Sequence, residues 1–292
     1  MTVVEETPGA PNPNGGVAPI PVRIGGVRGG PPLRKILRRD TWWLQPALTA
    51  LGLLGFIGYS IWAALRNGDF YAGAYGRDYL SPLYSPCLTH SCTTAGYVWG
   101  GWSWWRISPA WLILAFPGAF RTTCYYYRKA YYRSFWFSPP ACAVPDAGST
   151  AEGNGLRKRY SGETRFPLIL QNIHRYTWYF AVIFAGILTW DAIAAFRFPN
   201  GIGLGVGTII LVINAVFIWA YTLGCHACRH LCGGGLKQFS KHKSRYWLWK
   251  NVLTHLNEHH QLFAWCSLFS IIVSDLYIYL VASGTITDPR IF

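Results

Sequence analysis

Several long stretches of this chain almost entirely lack charged residues. Residues 41–65 and 199–224 contain no charge, and residues 176–196 contain only Asp191. A helix that crosses a hydrocarbon core needs about 20 mainly apolar residues, so each stretch is long enough. A soluble protein of this size would have too little polar chain to cover so many apolar helices. The sequence therefore predicts an all-α integral membrane protein.

Two further stretches reach spanning length with few charges. Residues 261–286 contain Asp275, which predicts a buried hydrogen bond between helices. Residues 103–126 contain two arginines near their ends, where long side chains can extend to the headgroups. Near the end of the third span, Asp191 is expected to pair with Arg197. The prediction is a bundle of about five transmembrane helices.

Acidic residues are scarce, with 12 Asp and Glu against 26 Lys and Arg and a formal net charge of +14. In a soluble protein this excess would favour nucleic-acid binding. Here the cations are concentrated in segments 1–40, 121–175 and 224–260, all on one side of the predicted spans. Because loops rich in Lys and Arg face the cytoplasm, the N-terminus is predicted to be cytoplasmic. The charge then reflects topology and attraction to anionic membrane lipid, with no nucleic-acid partner.

The predicted organisation has three parts. Residues 1–40 form a disordered, basic segment rich in Pro and Gly. Residues 41–286 form the five-helix domain of a multi-pass cell-membrane protein, and residues 287–292 form a tail. No apolar core with a cleavage site precedes the first span, which is expected to act as its own insertion signal. Cytoplasmic loops are predicted over residues 127–175 and 225–260.

No histidine lies in the middle of a predicted span, which disfavours a haem held between facing helices. The chain has eight cysteines and eight histidines. Cys87 and Cys92 lie in the outer loop, an oxidising compartment, and are predicted to form a disulfide, with a metal site as the lesser alternative. The other cysteines lie at or near the cytoplasmic face, where thiols stay reduced and serve as ligands or plain buried side chains.

The densest group of ligand-type residues is CHACRHLCGGG, residues 225–235. Cys225 and Cys228 have the Cys-x-x-Cys spacing with which two thiolates converge on one metal ion. His226 and His230 add imidazoles, and the glycines let the backbone wrap closely around a bound group. Structural zinc and a two-iron two-sulfur cluster of Rieske type explain this local pattern equally well. A polar loop without a ligand is the third interpretation.

Aromatic runs flank the predicted spans and are mainly typical of interfacial belts. A quinone headgroup, however, needs an apolar slot near the membrane surface with one or two hydrogen-bond donors. Candidates for this role lie at the ends of the second and third spans: Tyr127, His174, Arg175, Tyr176 and Trp178. No catalytic residue is predicted, because no nucleophile with a base, no phosphate-binding glycine loop and no paired catalytic carboxylates are found.

The segments that carry the cysteines and histidines also resemble a known family. CYYYRKAYYRSFW, PPACAV, SGETRFPLILQNIHRY, GCHACRH and FSKHKSRYWLW occur in this order between residues 124 and 249. Together they resemble the membrane anchor subunit of the actinobacterial class of succinate dehydrogenase, over roughly residues 100–285. The resemblance implies a subunit of respiratory complex II that reduces a quinone, usually menaquinone. Its implied partners are an iron-sulfur subunit and, through it, the flavoprotein subunit that oxidises succinate.

The resemblance also changes the weighting of the metal hypotheses. The histidine pairs of haem-carrying anchors are missing, so a Rieske-type 2Fe-2S cluster becomes the preferred group, with zinc as the alternative and no haem. The predicted ligands are Cys225, Cys228, His230 and His242, followed by His226 and His174, with Cys124 as a substitute thiolate. Two other functions stay open: a membrane scaffold with structural zinc, and a thiol-disulfide oxidoreductase, which would need its cysteine pair at the oxidising face.

Overall fold

The fold is that of a helical bundle, which confirms the predicted fold class. A computed structural model describes residues 40–66, 68–87, 110–137, 140–142, 144, 169–234, 237–238 and 241–292. Within these residues, four helices are long and apolar enough to cross a membrane. They are α1 (Leu44–Arg66), α4 (Leu170–Ala194), α5 (Val206–Leu223) and α9 (His260–Ala282).

The second predicted span corresponds to α2, Ala110–Thr123, the first element after an undescribed stretch. Its described part has 14 residues and contains Pro117. Cys124 then breaks the helix, and α3 continues over Tyr125–Phe135. The chain therefore turns where the prediction had placed the end of one straight span.

The centre of the bundle is the contact between α5 and α9, and α4 packs between α5 and α2. Ser270 on α9 donates a hydrogen bond of 2.8 Å to Asn214 Oδ1 on α5. Such polar contacts join helices in lipid, where apolar side chains gain little by leaving the hydrocarbon. The first helix, α1, packs on α3 and α9, and much of its surface stays exposed.

The fourth predicted span begins too early. Two short antiparallel strands, β1 (Arg197–Phe198) and β2 (Gly201–Ile202), precede α5. The hairpin turns through Pro199 and Asn200, and Gly201 has a positive φ of 114° that suits glycine. Absence of charge fitted both a hairpin and a helix, so the turn residues were the better signal.

The predicted loop over residues 225–260 is mostly helical. It contains α6 (His226–Gly233), α7 (Lys243–Trp247), a π-helical turn (Leu248–Leu253) and α8 (Thr254–Glu258). These short helices are too polar to span a membrane, which is why hydropathy grouped them as a loop. They lie at the end of the bundle where α5 ends and α9 begins.

The opposite end of the bundle is closed by the segment between α1 and α2, which has 3₁₀ turns at Gly73–Tyr75 and Pro82–Tyr84. Asp275 on α9 is buried and accepts hydrogen bonds from Tyr59 (2.5 Å) and Arg66 (3.0 Å) of α1. This confirms the predicted hydrogen bond between helices. The predicted pair of Asp191 and Arg197 is wrong, because Asp191 is buried while Arg197 lies 3.9 Å from Asp78.

Candidate functional site

Two buried cysteines lie at matching breaks between helices. Cys124 separates α2 from α3 and Cys225 separates α5 from α6, and each occupies the N-cap position of the following helix. Both have extended backbone dihedrals, φ −65° and ψ 132° for Cys124 and φ −65° and ψ 142° for Cys225. Each thiol is 1% exposed and both belong to one cluster of core residues. The two breaks therefore bring two thiols into the same end of the bundle.

A histidine of α4 contacts one of these thiols. His174 Nε2 lies 3.2 Å from Cys225 Sγ, and its Nδ1 lies 2.8 Å from Thr123 Oγ1. The imidazole stacks on Phe120 with ring centroids 4.8 Å apart and planes 4° apart. Thr123 and Phe120 therefore hold the ring with Nε2 directed at the sulfur.

A second histidine of the site lies at the start of α9 and is buried. His260 is 2% exposed, stacks on Tyr221 at 5.0 Å and meets Tyr126 edge-on at 5.3 Å. Its Nδ1 and the Tyr221 hydroxyl are buried without a hydrogen-bond partner in the part of the chain that the structure describes. Leaving a buried polar group unpaired costs free energy, so these two atoms are suited to contact a bound group.

Burial disfavours the ionised form of the thiols of Cys225 and Cys228. Burial raises the pKa of Cys225 to about 12, opposed by the Ala227 N–H and reinforced by the Cys124 thiol. Burial, then the neighbouring Cys232, raises the pKa of Cys228 to about 11. Because a nucleophilic cysteine needs a lowered pKa, this environment counts against a thiol-disulfide oxidoreductase. A bound metal ion would deprotonate a coordinating thiol outright.

An arginine lies on the bundle side of the site. Arg121 donates hydrogen bonds to Tyr127 Oη (2.6 Å) and Ser267 Oγ (3.1 Å), and its guanidinium lies 4.9 Å from the Tyr221 ring centroid. It also lines a mainly apolar cavity of about 40 Å³ between α2, α4, α5 and α9. This cavity brings an apolar space and a cation together within the bundle.

The comparisons with known proteins identify the family. The model for the actinobacterial succinate dehydrogenase subunit SdhC matches residues 44–284. This chain belongs to that family. Among solved structures, it is similar to a chain of the Mycobacterium smegmatis Sdh1 complex in the apo form, with 47% identity and a TM-score of 0.79. The match covers 91% of this subunit and 97% of the other chain. Comparison with curated protein sequences gave no match.

Membership confirms the resemblance found in the sequence. The chain is a membrane subunit of succinate dehydrogenase and thus part of an enzyme complex. With its four apolar helices, it is a multi-pass membrane protein.

The predicted metal ligands of this SdhC-family subunit are only partly brought together. Cys225 is at the site, and Cys228 is buried one turn further along α6. The predicted imidazoles His226, His230 and His242 are exposed. Since α6 is a helix and not a wrapping loop, it directs its histidines away from Cys225.

Within the described ranges, one group of at least three metal-binding side chains has all its ligand atoms within 4.8 Å: His255, Glu258 and His259, exposed around α8. No predicted ligand belongs to this group, so the predicted set does not converge as a single zinc ion would require. The ligands of a two-iron cluster are divided between two metal atoms and need not meet that condition.

The other predicted site residues are similarly divided. Tyr127 is buried and donates a hydrogen bond of 2.5 Å to the Ala264 carbonyl, and Trp178 Nε1 donates one of 2.9 Å to the Thr222 carbonyl. Arg175 and Tyr176 are exposed. On the opposite face, Cys87 is disulfide-bonded. Cys92 lies outside the described residues, so the pairing of these two cysteines stays a prediction.

Sequence reasoning did not place His260 or Arg121 near Cys225. Both are far along the chain from the CHACRH segment, and only the packing of α9 and α2 brings them to it. A usable signal existed for His260, because it is the first residue of a spanning helix and would have to leave water. Nothing local linked it to Cys225.

Proposed function

We propose that this succinate dehydrogenase subunit holds a Rieske-type two-iron two-sulfur cluster and transfers electrons to a quinone. One observation carries the proposal: the buried thiols of Cys124 and Cys225 lie in one core cluster at the end of the bundle, where the partly buried His174 contacts Cys225 and the buried His260 stacks on Tyr221. The cluster of a Rieske centre takes two cysteines on one iron and two histidines on the other. The two thiols and two imidazoles, with His260 Nδ1 lacking a hydrogen-bond partner among the described residues, fit such a group.

The proposed ligands differ in part from those expected from the sequence, where Cys225 was a first choice, His174 a next choice and Cys124 a substitute thiolate. Cys124 and Cys225 would supply the thiolates, and His174 and His260 the imidazoles. Thr123 would orient His174, because a hydrogen bond at one ring nitrogen fixes which nitrogen is free to bind metal. When bound, the cluster would supply a one-electron carrier of higher potential than an all-cysteine cluster.

The quinone, menaquinone by the family resemblance, is proposed to approach Arg121 and Tyr127 from the apolar side of the site. Arg121 is a cation that lines the cavity and can donate to a carbonyl oxygen. Tyr127 accepts a hydrogen bond from Arg121 and donates its own proton to the Ala264 carbonyl, so it would orient Arg121 toward the quinone. The cavity of about 40 Å³ is smaller than a quinone ring, so the lining side chains must move apart when the ring enters. The exposed Arg175 and Tyr176 contact the surroundings of the bundle and not this cavity.

The electron donor is proposed to be the iron-sulfur subunit of the complex, which would bind at the end of the bundle formed by α6 to α8. That end carries the short basic helices and lies beside the thiols. The flavoprotein subunit would oxidise succinate and bind through the iron-sulfur subunit. Electron transfer from that side would reach the quinone through the cluster of thiols and imidazoles.

Metal analysis of the purified whole complex tests the ligand set. Cys225→Ser and His260→Gln should each lose about two iron and two labile sulfide atoms per complex, together with one paramagnetic signal of the reduced protein. Cys142→Ser and His242→Gln are matched controls at exposed positions and should retain both. Iron held by the partner subunit is a constant background in all samples.

The same experiment separates the rival functions. If His242→Gln loses the iron and His260→Gln keeps it, the ligand set expected from the sequence is right and ours is wrong. Zinc in place of iron would support the structural scaffold. Iron and sulfide equal to wild type in every variant would refute a cluster in this subunit.

A second measurement addresses the quinone. Arg121→Gln should raise the KM for quinone at least tenfold, because an amide replaces a charged donor worth about 1.5–3 kcal/mol. Succinate oxidation with a soluble electron acceptor should remain unchanged in the same preparation. An unaltered KM for quinone would exclude Arg121 from the quinone site.

A further inference from the structure

A polar cavity of about 190 Å³ lies between α1, α3 and α9, and its lining residue Tyr126 also contacts His260. Lys129 and Arg133, one helical turn apart on α3, line one wall. Gln45 and Thr49 of α1 and Gln261 of α9 add neutral polar groups to the lining. The cavity thus has positive charge and hydrogen-bond donors but no acidic residue in its lining.

The two cations of this cavity are unpaired. Neither Lys129 nor Arg133 has a hydrogen bond, ion pair or aromatic ring contact with any residue that the structure describes. Arg66 and Arg77, by contrast, each bind a buried aspartate. Like charges four residues apart on a helix repel each other, so an anion between them would stabilise α3.

The position of the cavity indicates which class of anion could bind in it. It lies where α1 and α9 begin, at one end of two spanning helices. Tyr126 and Trp265 line it, and such rings prefer the headgroup level of a bilayer. The neighbouring α1 residues Leu44 and Leu48 are 43% and 58% exposed, so an apolar surface continues from the cavity along the spanning helix.

We propose that this cavity binds the phosphate group of an anionic membrane phospholipid. Lys129 and Arg133 would neutralise the phosphate, Gln45, Thr49 and Gln261 would donate to its oxygens or to the headgroup, and the acyl chains would lie along α1. Basic pockets between transmembrane helices are known to hold such headgroups. A quinone headgroup is uncharged and would leave both cations without a counter-ion.

Lipid binding to the purified complex tests the proposal without reference to its electron transfer. Complex stripped of lipid in neutral detergent is titrated with phosphatidylglycerol, with phosphatidylcholine of the same acyl chains, and with inorganic phosphate, and occupancy is read by native mass spectrometry. The wild-type complex should prefer phosphatidylglycerol and bind inorganic phosphate far more weakly. The double variant Lys129→Gln, Arg133→Gln should bind phosphatidylglycerol about thirtyfold more weakly, since each cation contributes about 1 kcal/mol.

Matched variants distinguish the effect of losing positive charge from the effect of losing the cavity. Lys237→Gln with Lys241→Gln removes the same charge at exposed positions outside the cavity and should leave binding unchanged. Ala130→Leu keeps both cations but fills the cavity, and should weaken binding of phosphatidylglycerol as well. Retention of the partner subunits in every variant shows that the complex is intact.

Four results would overturn the proposal. Equal losses in the two double variants would mean that the effect is one of overall charge. Tight binding of inorganic phosphate would make the site one for a free anion, and displacement of phosphatidylglycerol by a quinone would make it a quinone site. Absence of any phosphatidylglycerol binding above that of phosphatidylcholine would mean that another group, such as an acidic residue of a partner subunit, fills the cavity.

Discussion

His260 is the side chain whose surroundings are hardest to explain without a ligand. Its ring is enclosed by Tyr221 and Tyr126, and its Nδ1 has no hydrogen-bond partner within the described part of the chain. A histidine that serves only to fill the core would gain from replacement by an apolar ring of similar size, because the unpaired nitrogen costs about 1–3 kcal/mol. A ligand would not tolerate the same replacement.

The variant His260→Phe distinguishes these roles. We expect the complex to fold, with a melting temperature close to that of wild type, and to lose the iron, the sulfide and the redox signal assigned to this subunit. His259→Phe, at an exposed neighbouring position, is the control and should lose none of them. Normal iron and sulfide in His260→Phe would show that the histidine is merely part of the core.

At the other end of the bundle, Asp275 and Arg66 form the most buried ion pair among the described residues. The Asp275 carboxylate lies 3.0 Å from Arg66, and the side chains of the pair are 0% and 8% exposed. Asp275→Ala should lower the free energy of unfolding by about 3–5 kcal/mol, because it leaves a buried guanidinium without its counter-ion. Thermal unfolding in detergent measures this. Arg197→Ala removes a side chain that is 65% exposed and 3.9 Å from Asp78, so it should cost under about 1 kcal/mol.

At the level of helices, hydropathy predicts where the spanning helices lie. It does not predict the breaks that separate one helix from the next. The apolar stretches around α1, α4 and α9 could be predicted without knowing which helices they pack against, because their length and composition alone suit a helix that spans a bilayer. The breaks at Cys124 and Cys225 depend on how each following helix packs, which no local pattern encodes. The sequence therefore predicted Cys225 as a ligand, but ranked Cys228, His230 and His242 as its partners ahead of His174 and Cys124.

Three helices, α5, α8 and α9, approach one another closely at Gly224, which directly follows α5. A Cβ added there would lie 2.8 Å from the Ala220 carbonyl oxygen, 2.9 Å from the Leu256 carbonyl oxygen and 3.1 Å from His260 Nδ1. The Gly224 carbonyl also accepts a hydrogen bond of 2.8 Å from Asn257. The start of α9, and with it His260, is therefore held against the end of α5.

The substitution Gly224→Ala should disturb both stability and the site. Backbone oxygens cannot move away cheaply, so we expect a loss of about 1–3 kcal/mol in the free energy of unfolding and a shifted or weakened redox signal. Gly186→Ala, in the middle of α4, is the matched control because a Cβ there meets nothing within 4 Å. It should be neutral or stabilising by up to about 1 kcal/mol. Unchanged signal and stability in Gly224→Ala would mean that the contacts at Gly224 are looser than the structure indicates.

For the whole molecule, the distribution of Lys and Arg determines which end faces the cytoplasm. The spanning helices determine only how many times the chain crosses the membrane. The short helices beside the thiols contain Arg229, Lys243, Arg245 and Lys250, whereas the opposite end has buried aspartates paired with Arg66 and Arg77. Because loops rich in Lys and Arg stay on the cytoplasmic side, the thiol and imidazole cluster should face the cytoplasm. Both the proposed iron-sulfur partner and the proposed source of electrons require this orientation.

Labelling with a membrane-impermeant maleimide tests the orientation. Thr287→Cys introduces a thiol at an exposed position after α9, at the end predicted to lie outside, and should react in intact cells. The native thiol Cys142, exposed after α3, should react only after the membrane is permeabilised and the complex dissociated, and Cys142→Ser identifies its signal. Labelling of Cys142 in intact cells, with Thr287→Cys protected, would place the cluster outside. An electron donor in the cytoplasm could then not reach it directly, and the proposed route from succinate to the quinone would fail.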